Sequence, residues 1–170
     1  TGYSYQGPAA IRYPRGEGPG AEISKNFDCL EIGKANVISD VDSEIVIFSF
    51  GNVLDLSLDI ADELNCSLID MRFIKPLDEE LIEKYAKNCK HLISIEENVV
   101  SGGAGSAVNE FISTIGFSEK LKIFGIPDEF PIVGSQSDQR AAAGLTKKEI
   151  IRKLSMELDL EELNKKISSQ

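Results

Sequence analysis

Apolar positions along the chain change their period several times, and each change predicts an element. Residues 45–50, IVIFSF, are apolar on both faces and rich in β-branched and aromatic side chains, the pattern of a central strand covered by helices on each side. After Gly51 and Asn52 the period lengthens. Val53, Leu56, Ile60 and Leu64 fall at helical spacing, with Asp55, Asp59 and Asp62 on the opposite face. Those aspartates read as a solvated helix surface, not a metal site, because one regular helix points them all to water. Residues 67–71 predict the next strand and 72–77 a loop containing Pro76. Asp78 suits a helix N-cap, Leu77 and Ile82 a hydrophobic staple, and Glu79 and Glu80 the first turn, while Lys84, Lys87 and Lys90 fall at or beyond the last.

The next stretch, HLISIEENVVSGGAGSAVNEF, predicts a short strand (Leu92, Ile93, Ile95) that stops at Glu96 and Glu97. A loop with Gly102, Gly103 and Gly105 then opens into a helix burying Val108, Phe111, Ile112 and Ile115. A further strand over 121–126 ends at Pro127, and residues 128–134 read as irregular. A short helix over 135–143 is closed by Gly144. The last helix starts at a capping box of Thr146 with Glu149 and a staple of Leu145 with Ile150. Ile151, Leu154 and Leu158 continue its apolar stripe, and the tail after Leu160 reads as helical.

Near the beginning, residues 9–12 predict a strand, and Pro14, Gly16, Gly18, Pro19 and Gly20 then break regular structure. Residues 30–32 and 35–39 read as two short β pieces around Gly33, supplying an edge strand. Alternating strands and helices predict an α/β fold of three layers: a mostly parallel five-stranded sheet with one antiparallel edge strand, helices on both faces and right-handed crossovers. The expected division is 1–27 as the end of a preceding unit plus linker and 28–170 as the domain. A start at Thr1, without methionine, suggests a piece of a longer chain.

Composition narrows the function classes. With 170 residues, 42% hydrophobic and 27% charged, the chain has the make-up of an ordinary globular domain large enough for a real core. A net charge of −10 disfavours nucleic acid and anionic lipid as partners. No apolar run reaches the roughly 18 residues of a membrane span, and no secretion signal opens the chain, so a cytoplasmic location is expected. Cys29, Cys66 and Cys89 are widely spaced and form no CxxC pair, which fits reduced thiols better than a disulfide framework or a zinc site. The lone histidine, His91, starts a strand and reads as structural.

Two stretches invite chemistry. Gly103 and Gly105 give GxG, but Val108 stands where a dinucleotide fingerprint wants glycine or alanine, and no GK[ST] exists for a phosphate loop. Glu96 and Glu97 resemble a catalytic pair, yet neighbours on a strand point to opposite sides and cannot readily share a proton. A role better suited to one of them is to accept hydrogen bonds from the amides that open the following helix. In the other stretch Arg12 and Arg15 flank Pro14. They suit either a clamp for phosphate or carboxylate or a pair of surface ion pairs in an acidic protein.

Four motifs in order, GPAAIRYPRGEG, DMRFIKPLDEELI, EENVVSGGAGSAVNEF and GIPDEF with GSQSDQRAAAGL, resemble the C-terminal third of the 1-deoxy-D-xylulose-5-phosphate synthases of the transketolase superfamily. The segment EFPIVGSQSDQ departs from that family's phenylalanine-rich turn. The resemblance implies a transketolase C-terminal-domain-like fold within a homodimeric enzyme. That enzyme condenses pyruvate with glyceraldehyde 3-phosphate, with loss of CO2, in isoprenoid, thiamine and pyridoxal synthesis. It implies that thiamine diphosphate and Mg2+ bind to upstream domains, with no metal, cofactor or catalytic residue in these 170 residues and no activity of this piece alone. It implies contact of Arg12, or in reserve Arg15, with the substrate phosphate, and leaves Glu96, Glu97, Gly102, Gly103 and Gly105 as a structural loop. Rival readings are the C-terminal domain of a 2-oxo acid dehydrogenase β-type subunit and a free-standing anion-binding regulatory module. The first shares the acid-glycine loop, but it would lack the RYPRG and DMRFIKPLDE motifs.

Overall fold

The computed structural model describes residues 1–11, 25–117 and 121–157. Its strands are β1 (Asn36–Ser39), β2 (Ile45–Phe50), β3 (Ser67–Asp70), β4 (His91–Val99) and β5 (Leu121–Ile126). They form one five-stranded sheet in the order β1-β3-β2-β4-β5. β1 runs antiparallel to β3 at the edge, and every other pairing is parallel. β2 is central and buried at all six positions, as a two-faced apolar run requires.

The helices are α1 (Leu54–Leu64), α2 (Glu79–Asn88), α3 (Ala104–Thr114), α4 (Gln136–Ala142) and α5 (Lys147–Glu157), with a 3-10 turn at Gly51–Val53 ahead of α1. Alternation along the strands divides the core in two. Ile45, Ile47, Leu68, Ile93 and Ile95 face Ile60 and Leu64 of α1 and Ile150 and Leu154 of α5. Val46, Phe48, Ile69 and Leu92 face Ile82 and Tyr85 of α2 and Val108 and Ile112 of α3. This is the three-layer α/β arrangement that the alternating pattern predicts.

Four local expectations change. Residues 30–32 are coil and turn, not strand. Gly33, at φ +80 and hard against the Pro76 ring, turns the chain there, and the ladder with β3 begins only at Asn36. Residues 9–11 are exposed coil, with no strand alongside to pair with among the described residues. The remaining residue of that expected strand, Arg12, lies outside the described residues, as do 14–20 and the tail after Leu160. β4 does not stop at Glu96 and Glu97. Glu96 stands opposite Phe50, and Val99 opposite Ile126 after an irregularity, so pairing carries the strand to Val99. Finally, Thr146 accepts from the Glu149 amide at 3.3 Å, but the Glu149 carboxylate turns to Arg152. The reciprocal capping box forms instead on α4, between Ser135 and Asp138.

Candidate functional site

Beyond Ile95, β4 sends its two carboxylates to opposite layers. Glu96, 2% exposed, lies on the α3 side. Its Oε2 accepts from the Ala104 amide at 2.7 Å and its Oε1 from the Gly105 amide at 2.8 Å. Gly103, the N-cap residue of α3, has no side chain to satisfy those donors, and Glu96 does so from the neighbouring strand. The approach is close enough to exclude side chains. A Cβ on Gly103 would stand 2.5 Å from the Val99 carbonyl and against the Glu96 carboxylate; one on Gly105 would stand 2.5 Å from Ser94 Oγ and 2.6 Å from Ile123 Cγ2. Gly102 turns the loop at φ +76. Its amide donates to Ser106 Oγ at 3.1 Å, and that hydroxyl donates to the Val100 carbonyl at 2.7 Å. Two of the amides an anion would seek at this helix start are therefore already engaged by an internal carboxylate.

Glu97 lies on the other face. Its Oε1 accepts from Arg140 Nε at 2.6 Å, with both side chains about three-quarters buried. A second arm of the guanidinium, Nη2, donates to the Asn52 carbonyl at 3.0 Å. These contacts fall where β2 and β4 part, at the carboxyl end of the sheet, and in parallel sheets that switch point is where ligands usually sit. Here a cation of the chain itself occupies it. No spacing in the sequence joins Asn52, Glu97 and Arg140; the one signal is a lone cation in a short helix, QSDQRAA.

Arg12 and Arg15 lie outside the described residues. Ser94, on β4 beneath Gly105, carries the one buried side-chain polar atom among the described residues with no partner. None of the three cysteines is in a disulfide. Burial, then the neighbouring Cys89 and Asp62, pushes the Cys66 thiol up to about 12, which makes it a poor nucleophile. Asp40 accepts from the Tyr85 hydroxyl at 2.8 Å and pairs with Lys84 at 3.2 Å. The tyrosine bond first, and the lysine next, hold the Asp40 carboxyl below its usual range. Among the described residues no three His, Cys, Asp or Glu side chains are grouped to hold a metal ion, and no helix is long and apolar enough to cross a membrane.

Comparison with known proteins agrees with this architecture. The family model described as Transketolase, C-terminal domain matches residues 33–150. The chain belongs to that family. Within this transketolase C-terminal domain, similarity to curated proteins is strong. The 1-deoxy-D-xylulose-5-phosphate synthase of Hahella chejuensis is 46% identical over 145 residues, covering 85% of this chain and 22% of that protein. The synthase of Hamiltonella defensa is 46% identical over 154 residues, covering 91% of this chain and 24% of that protein. The chain thus spans about a quarter of the length of the relatives it matches. Among solved structures, a split-gene transketolase described as an inactive β4 tetramer superimposes with TM-score 0.69 at 26% identity, covering 78% of this chain and 44% of that one. A transketolase from Campylobacter jejuni shares the fold at TM-score 0.53 and 18% identity, covering 74% of this chain and 19% of that one.

Proposed function

We propose that this transketolase C-terminal domain is the C-terminal part of a 1-deoxy-D-xylulose-5-phosphate synthase, and that it serves that enzyme as framework and dimer-forming surface rather than as the source of chemistry. The observation that carries the reading is the 46% identity to such a synthase over 85% of the chain. The internal capping of α3 by Glu96 supports the second half of it, since the two amides that open the helix are taken by a carboxylate of the chain itself.

In this reading the intact enzyme condenses pyruvate with glyceraldehyde 3-phosphate and releases CO2, in the cytoplasm. Thiamine diphosphate with Mg2+ supplies the carbanion chemistry when bound. The described residues do not fit that group: the Ala104 and Gly105 amides are taken by Glu96, and no three His, Cys, Asp or Glu side chains gather to hold the metal. In this reading the cofactor binds other domains of the enzyme. Residues 1–27 belong to the end of the preceding domain, and Arg12, with Arg15 in reserve, holds the substrate phosphate.

Two measurements test the reading. Assayed alone with thiamine diphosphate, Mg2+, pyruvate and the aldehyde, the chain releases no CO2 above background, and release would overturn it. In the intact enzyme, Arg12→Ala raises KM for the phosphorylated aldehyde on the order of 10- to 100-fold, the size of one lost charge-assisted contact, and leaves pyruvate handling nearly unchanged. Unaltered kinetics for both substrates would remove Arg12 from the site.

A further inference from the structure

α4 is a short helix with no buried residue; the chain after it is anchored by Ala143 and Leu145 in the α1–α5 layer, and the contacts of α4 itself are polar. Two of them organise the 127–135 loop that leads into it. Gln139 Nε2 donates to the Ile132 carbonyl at 2.9 Å, and Ser135 and Asp138 close the reciprocal capping box. The loop so held turns Phe130 and Val133 fully into solvent. A third contact, Arg140, joins this assembly to the sheet, and it does so at two places at once. The partners are Glu97 on β4 and the Asn52 carbonyl in the turn after β2. The register explains why two are needed. β2 and β4 pair as far as Phe50 and Glu96 and then diverge, and the pairing of β4 with β5 is irregular between Ile95 and Val99. Val99 still pairs with Ile126, but no ladder joins the turn after β2 to the loop that follows β5.

We propose that Arg140 is a positioning residue. A single guanidinium locks the 127–135 loop and the turn after β2 onto β4, so that the carboxyl end of the sheet presents one fixed shape. Arginine suits the task because its planar fork donates in two directions at once, which an ammonium on a flexible stem does not do in a fixed geometry. The bearing of this clasp on catalysis rests on the reading above, in which this chain frames a larger enzyme. The clasp itself does not.

Amide hydrogen exchange on the 170-residue chain separates the two questions, since it needs no activity. Arg140→Met raises exchange at least tenfold both in the backbone of residues 128–140 and in the first turn of α1, while β2 and β4 keep their protection. Arg140→Lys restores the 128–140 segment through Glu97 and leaves the start of α1 exchanging fast. The reversed pair, Glu97→Arg with Arg140→Glu, does the same, because a carboxylate at 140 cannot donate to the Asn52 carbonyl. If Arg140→Met changes only residues 128–140, or if the two segments respond identically in every variant, the two-way clasp is wrong. Loss of protection throughout the sheet would equally overturn it, by making Arg140 a general stability residue.

Discussion

Glu96 supplies the side chain that Gly103 lacks. A strand residue caps a helix that begins eight positions later, and the geometry leaves room only for hydrogen at 103 and 105. Glu96→Gln keeps one acceptor and turns an amide donor toward another donor, so stability to urea falls by about 1–3 kcal/mol. Gly105→Ala drives a methyl into Ser94 and Ile123 and costs about 1–3 kcal/mol through overpacking. Ser94→Ala removes a buried hydroxyl with no partner, and its stability is expected to equal or exceed that of the parent chain. A drop of more than about 1 kcal/mol for Ser94→Ala would show that the hydroxyl is satisfied after all. Cys66 sets an alkaline limit. Its folded-state value is raised from 9.0 to about 12, so the contribution is complete below pH 9 and is lost as pH climbs from 9 toward 12. Thermal melts of Cys66→Ala across that window should show a shallower alkaline decline than the parent.

Elements with a strong local signal were readable from the chain, and those defined by distant partners were not. β2 announces itself through six apolar residues, and α2 through Asp78, whose side chain accepts from the Leu81 amide at 3.3 Å. The same carboxylate also accepts from the Ala35 amide at 3.0 Å, which ties the approach to β1 to the cap of α2. Asp78→Ala therefore loosens two elements and costs about 2 kcal/mol or more, above the ~1 kcal/mol typical of a cap alone, and Asp78→Asn recovers part of it. Chemical denaturation of the two variants checks the order. By contrast, the strand expected at residues 30–32 fails because β propensity means little without a neighbour to pair with, and Gly33 turns the chain away first. The end of β4 was misplaced for the opposite reason: two charges read as a boundary, but Glu96 finds two amides and Glu97 finds Arg140, so neither is exposed enough to end the strand. Ser57 shows the same limit on α1, where a polar residue is buried because it bonds Ser49 and the Val53 carbonyl.

At the scale of the whole molecule, a net charge of −10 surrounds one sheet whose two faces are covered by apolar layers. Apart from Met156 on α5, its large exposed apolar groups among the described residues lie in loops and at the β1 edge, with Phe130 and Val133 in the loop after β5 and Val37 and Ile38 on the edge strand. Surface of that kind fits a part that works against a neighbour. The candidate site could be half read from the sequence. The opposed directions of Glu96 and Glu97 followed from strand geometry alone, whereas Arg140 reaches across 43 positions and leaves no periodic trace. We propose that this chain frames the active centre of a 1-deoxy-D-xylulose-5-phosphate synthase without supplying its chemistry. The most direct measurement replaces the C-terminal domain of the Hahella chejuensis synthase with residues 28–170 and follows CO2 release from pyruvate with glyceraldehyde 3-phosphate. The chimera is expected to keep activity within about tenfold of its parent, a barrier difference of about 1.4 kcal/mol or less. A folded, correctly assembled chimera with no CO2 release would contradict it.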